Sequence, residues 1–327
     1  MEQNSQISHN NTTNSGTINT IETIIQSQVL DTNEYGCVLS LIETEDKRIA
    51  SGSKDGIISI SSYDVNKSLW NIDIQEKKAH NGGIYSLCTL NGNRLLSGGT
   101  DYSIKLWTLS NVDLTLIKDI KEHTNVIYKV IPLSKERFAS CSIDNTVKIW
   151  KDDNTYECIS TLYHNNSVRS ILQLKSKEML VSCGWYSSTG VSFWNLNTYT
   201  QEHNLQGFSV YWSTHMIELS DGNIALSSQN EPYPIIIIDS TLYQVVTMIQ
   251  LNEYIIGCSS LCVFNEHSFI LVYDGKFLQI SNKDYSVLFH SKGEIFNGYY
   301  GVIPIEGGKY FAIESDGLIS IIKPSYI

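Results

Sequence analysis

The chain has 327 residues, of which 34 are acidic and 23 basic, so its formal net charge is −11 at pH 7. Phosphate-binding surfaces need clustered Lys and Arg, whereas the basic residues here are scattered, and we therefore expect no nucleic-acid partner. Hydrophobic residues make up 42% of the chain, enough for a packed core. No apolar run approaches the roughly 18 residues that a membrane-spanning helix needs, so we expect no membrane association.

The first 20 residues lack the basic-then-apolar pattern of a secretory signal, and the seven cysteines stand at irregular spacing without a C-x-x-C pair. Free thiols in a reducing compartment fit this usage, so we expect a cytoplasmic protein, with the nucleus as an alternative, and no secretion. The eight histidines show no H-x-H or HExxH spacing, and no Gly-rich phosphate loop is present. The sequence therefore predicts no metal site and no cofactor.

The N-terminal part of the chain divides into two stretches. Residues 1–17 are rich in Asn, Ser and Thr and are predicted to be a disordered tail. Residues 18–30 read INTIETIIQSQVL, with some apolar residues at helical spacing. However, the stretch is rich in β-branched residues, and residues 22–29 parallel residues 113–120 of a later repeat. We therefore predict an outer β-strand over residues 22–29, with a helix as the alternative.

Seven repeat units follow, each with a strand, a turn and a second strand. Each unit has an equivalent position in its second strand, and these positions recur about every 42 to 46 residues, a spacing typical of propeller blades. The residues at these positions are Ser51, Ser97, Ser140, Ser182, Ser227, Val272 and Glu314. The residues of each strand alternate with the period of a pleated strand.

The second and third units share the fullest motif. They read LLSGGTDYSIKLW at residues 95–107 and RFASCSIDNTVKIW at residues 137–150. In both, a Ser is followed by a turn Asp and then by a Trp, and a His lies upstream. The two sets are His80, Ser97, Asp101 and Trp107, and His123, Ser140, Asp144 and Trp150.

This motif resembles the WD40-repeat family, with no particular member identified. The resemblance implies an all-β fold, a seven-bladed β-propeller of four-stranded antiparallel blades, over residues 18–327 as a single domain. It also implies that the N-terminal strand pairs with the last blade and closes the ring, because an open sheet would leave edge hydrogen bonds exposed. In this family the His, Ser, Asp and Trp form a buried structural tetrad.

Ser, His and Asp together could also indicate acyl transfer, but the resemblance implies a buried network without an oxyanion hole. Two copies of the set also argue against one active site. We therefore predict that the protein is not an enzyme, and a propeller hydrolase is the remotest alternative.

In the WD40 family, partners commonly bind the face at the narrow end of the central channel. The matching positions at the start of the inner strands are Cys37, Tyr85, Tyr128, Arg169, Thr214, Ser259 and Tyr300. Positions two residues earlier add Val126, Ser167 and Trp212, and those before the turn Asp add Lys54, Thr100 and Ile143.

Tyr, Trp and Arg dominate the energetics of protein interfaces, and several of these positions carry them. The sequence thus predicts a non-enzymatic interaction module or scaffold that binds a peptide or protein segment on this top face. It would be a monomeric propeller within a complex. The alternative is a structural subunit of a large assembly that is held through its blade rims.

Overall fold

The computed structural model describes residues 29–31, 37–64, 69–184, 190–206, 215–228, 235–251, 260–273, 276–290, 302–305, 310–315 and 318–322. The predicted tail, residues 1–17, lies outside the described residues, and so does most of the predicted N-terminal strand, residues 22–28. Every helix or strand in the described part is a β-strand. A helix that could cross a membrane is accordingly absent from it.

The described strands form four-stranded antiparallel sheets, and six of these consist of four consecutive strands. We call these six sheets blades 1 to 6 in chain order. The first described strand is β1 (Val29–Asp31). Blade 1 comprises β2 (Val38–Glu43), β3 (Ile49–Ser53), β4 (Ile58–Asp64) and β5 (Leu69–Glu76). Blade 2 comprises β6 (Ile84–Leu90), β7 (Arg94–Gly99), β8 (Ile104–Leu109) and β9 (Leu114–Ile120). Blade 3 comprises β10 (Ile127–Leu133), β11 (Arg137–Ser142), β12 (Thr146–Lys151) and β13 (Cys158–Tyr163).

The other three blades repeat this order. Blade 4 comprises β14 (Val168–Gln173), β15 (Met179–Gly184), β16 (Val191–Asn195) and β17 (Thr200–Leu205). Blade 5 comprises β18 (Met216–Glu218), β19 (Ile224–Ser227), β20 (Ile235–Asp239) and β21 (Gln244–Ile249). Blade 6 comprises β22 (Ser260–Asn265), β23 (Ser268–Tyr273), β24 (Lys276–Ser281) and β25 (Val287–His290).

The last sheet combines the two ends of the chain. It consists of β26 (Val302–Ile305), β27 (Tyr310–Ser315), β28 (Leu318–Ile322) and the N-terminal strand β1, which pairs with β28. In this pair, Leu30 stands opposite Ile319. The described strand β1 therefore pairs with β28, the last strand that the structure describes. The described part of this strand begins at Val29, so it shares only its first residue with the predicted strand, residues 22–29.

The strands differ in burial according to their position in the blade. The second strands, such as β11, are buried along their whole length, and their Ala, Ser, Cys and Gly residues let neighbouring sheets pack closely. The outer strand β9 has only its two end residues buried. The first strands of neighbouring blades contact one another, so they surround the centre of the propeller. Burial is therefore greatest at the second strands and falls toward the outer strands, which form the solvent-exposed rim of the blades.

Apolar clusters join neighbouring blades. Between blades 2 and 3, Leu96 and Leu106 pack with Phe138 and Trp150. The last sheet contacts both of its neighbours. Ile305 and Ala312 lie in one cluster with residues of β2 and β3 in blade 1. On its other side, the Val302 N–H donates to Ser260 Oγ of blade 6 at 3.2 Å.

In blades 1 to 3 the turn between the second and third strands has one residue in the left-handed conformation, directly after the turn Asp. Tyr102 and Asn145 adopt it with φ values of 66° and 68°, and Gly56 with 81°. At Gly56 a Cβ atom would lie 2.2 Å from the carbonyl oxygen of His80, so blade 1 requires glycine there.

Candidate protein-binding face

The candidate face lies where the inner strands begin. In blades 1 to 4 each inner strand has a register shift after its first residue, which leaves one residue without a partner in the pairing. In blades 2, 3 and 4 this bulged residue is Tyr85, Tyr128 and Arg169. A bulge re-aims its side chain out of the sheet, which accounts for large polar residues at the start of buried strands.

The three bulged side chains form one cluster across three blades. The rings of Tyr85 and Tyr128 are 5.0 Å apart between centroids and tilted by 51°. The guanidinium carbon of Arg169 lies 4.3 Å from the centroid of the Tyr128 ring, and its Nη2 donates to the Tyr128 hydroxyl oxygen at 2.8 Å. Tyr85 is 36% exposed, and the other two side chains are half-buried. The cluster is thus a preorganised aromatic surface that carries one positive charge.

In blade 1, the structure corrects the predicted register by two residues. The bulged residue, equivalent to Tyr85, is Leu39 and not Cys37. The sequence GCVLSL offers more than one apolar residue as the start of the strand, and a backbone bond resolves the choice. Lys54 N–H donates to the Cys37 carbonyl at 2.7 Å, as Thr100 N–H donates to that of Gly83 at 2.9 Å. Cys37 is an exposed free thiol next to the turn, two residues before the bulge.

Each predicted turn residue donates a backbone hydrogen bond to the residue two positions before the bulge of its blade. Besides the two bonds just given, Ile143 N–H donates to the carbonyl of Val126 at 3.0 Å. Val126, Ile143 and Thr100 are half-buried, and Lys54 is exposed. Ser167, which precedes Arg169 by two residues, is half-buried. The predicted residues Trp212, Thr214, Ser259 and Tyr300 lie outside the described residues.

Directly behind this face, the two fullest motifs form continuous hydrogen-bonded chains. In blade 2, Trp107 Nε1 donates to Ser97 Oγ at 2.8 Å, and Ser97 Oγ lies 2.6 Å from His80 Nε2. His80 Nδ1 lies 2.8 Å from Asp101 Oδ1. Because the carboxylate can only accept, Nδ1 carries the proton, and the bonds run from Trp to Ser to His to Asp.

Blade 3 repeats this geometry. Trp150 Nε1 donates to Ser140 Oγ at 2.9 Å, and Ser140 Oγ lies 2.7 Å from His123 Nε2. His123 Nδ1 lies 2.7 Å from Asp144 Oδ2. Both histidines and both serines are buried, so neither hydroxyl can meet a substrate.

The two turn carboxylates are held in their charged form. Burial alone would raise the pKa of Asp101, but bonds from His80, from the Asn81 N–H and from Ser103, together with attraction to His80, hold it well below its usual range. Asp144 has a lowered pKa for the same reasons, with His123 as its strongest partner. These carboxylates therefore fix the turns beneath the candidate face.

Blade 4 has a shortened form of this network. Trp194 Nε1 donates to Ser182 Oγ at 2.8 Å, and His164 Nε2 lies 3.3 Å from the same oxygen. The sequence GWYSSTG at residues 184–190 contains no turn Asp. Burial lowers the pKa of His164 to about 4, so this imidazole is neutral at pH 7.

The repeated tetrads agree with the comparison to known families. The family described as WD domain, G-beta repeat matches residues 73–108 and 114–151, the stretches that contain most of blades 2 and 3. The chain is a WD40-repeat protein. Among curated proteins, none matches it significantly.

Metal binding and thiol chemistry find little support in the described part of this WD40 chain. No group of three or more His, Cys, Asp or Glu side chains there could hold a metal ion. The buried thiol of Cys141 has a raised pKa because of its burial, with the nearby Lys129 only partly opposing the shift, so it is a poor nucleophile at neutral pH.

Sequence reasoning missed two kinds of residue that shape this WD40 propeller. Lys129 follows the bulge of blade 3 where blade 2 has Ser86, a difference that is visible when IYKV is aligned with IYSL. At the opposite face, four tyrosines adopt the left-handed conformation in the last turn of their blades. They are Tyr156, Tyr199, Tyr243 and Tyr285. Their recurrence four or five residues after the end of each third strand was the available signal.

Proposed function

We propose that this WD40 protein is a non-enzymatic scaffold that binds a peptide or protein segment on the face where its inner strands begin. The observation that carries the proposal is the cluster of Tyr85, Tyr128 and Arg169. Aromatic rings and guanidinium groups supply most of the binding energy at protein interfaces, especially when they are already ordered in the free protein. Here three different blades contribute to one such surface.

The proposal includes a closed ring of seven blades, in which the last sheet is the seventh. The pairing of β1 with β28 and the contacts of that sheet with blades 1 and 6 support it. A closed ring holds the starts of the inner strands at fixed positions around one centre, so that a partner meets a rigid surface.

A specific observation favours a second candidate, a structural subunit held through its rim. Apolar side chains are exposed on and beside the outer strands of blades 1 and 2. Ile72 is 38% exposed, Leu116 45%, Ile117 42% and Val112 84%. Outer strands also leave one edge unpaired, which another chain can contact.

The test compares variants of the face with variants of the rim. Partners are first captured with the tagged full-length protein and identified by mass spectrometry. Tyr128→Ala and Arg169→Ala are then assayed against Leu116→Ser and Ile117→Ser for binding to each partner. We expect each face variant to weaken binding by about 1–3 kcal/mol, with little change in melting temperature.

The matched control is Tyr63→Ala, because Tyr63 is 41% exposed and lies near the end of β4 that is remote from the candidate face. Lysines on that remote side cannot serve as control positions. Lys135 Nζ donates to Asn197 Oδ1 at 2.9 Å, and Lys177 Nζ donates to the carbonyl of Ser240 at 3.0 Å, so both link blades. Loss of binding in the rim variants alone would refute the face and support the second candidate.

A further inference from the structure

The inner strand of blade 3 departs from its neighbours directly after the bulge. Blades 1, 2 and 4 have serine there: Ser40, Ser86 and Ser170 stand opposite Gly52, Gly98 and Cys183. Blade 3 has Lys129, opposite Cys141. A flexible charged side chain thus occupies a position that elsewhere holds a small neutral one.

Two of these serines connect their blade to the next. Ser40 Oγ donates to the Ile84 carbonyl at 3.0 Å, and Ser86 Oγ accepts from Val130 N–H at 3.0 Å. Lys129 also reaches the next blade, but its Nζ lies 3.5 Å from Ser170 Oγ. That distance is long for a charge-assisted hydrogen bond, so the ammonium group is poorly satisfied by this partner.

No described carboxylate forms an ion pair with Lys129. The ionisable groups that interact with it are the thiols of Cys141 and Cys183, while burial, the largest influence, lowers the pKa of the lysine. Because the pKa of Cys141 is raised, this thiol stays protonated and supplies no negative charge. Lys129 is half-buried on an inner strand, and its Nζ reaches toward Ser170 of the next inner strand, so its charge lies between blades 3 and 4 where the inner strands border the centre of the propeller.

We propose that a compact oxyanion, a carboxylate or phosphate group, enters the centre of the propeller between blades 3 and 4 and binds Lys129. The Ser170 hydroxyl is a second donor. Arg169, one residue earlier on the same strand, adds a second cation at the mouth. The assignment of this oxyanion to a peptide bound on the candidate face rests on the proposed function. The anion site itself does not depend on that function and requires only Lys129.

The anion site can be tested on the isolated full-length protein with inorganic phosphate and with acetate as probes. Melting temperature is measured at constant ionic strength, with chloride as the reference anion. We expect a rise of about 3 °C at an anion concentration ten times the dissociation constant. Lys129→Met should lose this rise, and so should Lys129→Ser, which restores the residue of the neighbouring blades. Lys118→Met, on the exposed outer strand β9, should keep it.

The outcomes separate the anion site from the binding face. A rise with phosphate alone assigns a phosphorylated segment, and a rise with both probes assigns a carboxylate as well. An equal rise in both Lys129 variants, or none in the unmodified protein, overturns the site. If Lys129 variants lose the rise while Tyr128→Ala retains every captured partner, the site stands and the proposed face fails.

Discussion

Arg94 of blade 2 and Asp152 of blade 3 form an ion pair with two hydrogen bonds. Nη1 donates to Oδ1 at 2.6 Å, and Nη2 donates to Oδ2 at 2.9 Å. Residues at the same position in other blades act similarly. Arg48 donates to the Ser110 carbonyl at 2.7 Å, and Arg137 donates to the Leu196 carbonyl at 2.6 Å. An arginine at the start of each of these second strands thus joins its blade to the last turn of the next.

The Arg94–Asp152 pair is expected to stabilise the contact between blades 2 and 3. Its side chains are 23% and 9% exposed, so either partner left alone would be a poorly solvated charge. Arg94→Ala and Asp152→Ala should each cost about 1.5–3 kcal/mol of unfolding free energy in urea denaturation. In a double-mutant cycle, the double variant should cost less than the sum. Strict additivity would show that the pair contributes nothing.

Ser61 gives a prediction of opposite sign. It stands opposite Ile49 in blade 1, as Trp107 stands opposite Leu95 in blade 2. Ser61 is 1% exposed, and its hydroxyl oxygen has no hydrogen-bond partner among the described residues. Ser61→Ala should therefore raise the unfolding free energy by about 1 kcal/mol.

The matched control is the same substitution at Ser97, whose oxygen bonds both His80 and Trp107. Ser97→Ala should lower the unfolding free energy by about 1–3 kcal/mol. Both variants are compared with the unmodified protein by thermal and urea unfolding. A loss of stability in Ser61→Ala would mean that its hydroxyl has a partner after all.

His164 predicts a loss of stability in mild acid. Its pKa is about 4 in the folded protein and about 6.5 in an unfolded chain, so the unfolded state binds more protons between these values. The unfolding free energy should therefore fall as the pH is lowered from about 6.5 to 4, by up to about 3 kcal/mol. The lowered pKa values of Asp101 and Asp144 act only below this window.

The measurement is urea unfolding at several pH values, for the unmodified protein and His164→Gln. The substitution should flatten the curve between pH 6.5 and 4. His267→Gln is the control, because that imidazole is 73% exposed and should leave the curve unchanged. Parallel curves for His164→Gln and the unmodified protein would contradict the assignment.

The sequence predicted the strand rhythm and the hydrogen-bonded residues of the tetrads in blades 2 and 3. These depend on local spacing, which propeller blades repeat. It misplaced the first inner strand, because apolar residues on both sides of Val38 allow two registers that differ by two residues. A backbone bond between Lys54 and Cys37, residues far apart in the chain, decides between them.

Contacts between blades could not be predicted in this way. The weak bond of Lys129 to Ser170 and the pairing of Arg94 with Asp152 join residues 41 and 58 positions apart. Repeat spacing gives the position of each residue within its own blade, but the reach of a long side chain into the next blade depends on the packing of both. For the same reason, the position of Lys129 could have been noticed in the sequence, but not that no described carboxylate pairs with it.

The pairing of β1 with β28 leads to the last prediction. Deleting residues 1–31 removes β1 and leaves the backbone groups of β28 as an open edge in the last sheet. We expect a loss of several kcal/mol of unfolding free energy and aggregation through this edge, because unpaired strands recruit other chains. Deleting residues 1–16, which end well before β1, should change the melting temperature very little.

Both proteins are compared by thermal unfolding and by size-exclusion chromatography. A synthetic peptide of residues 20–34 should partly restore the melting temperature of the longer deletion and suppress its aggregation. A monomeric protein of residues 32–327 with the same melting temperature as the full chain would refute ring closure by β1.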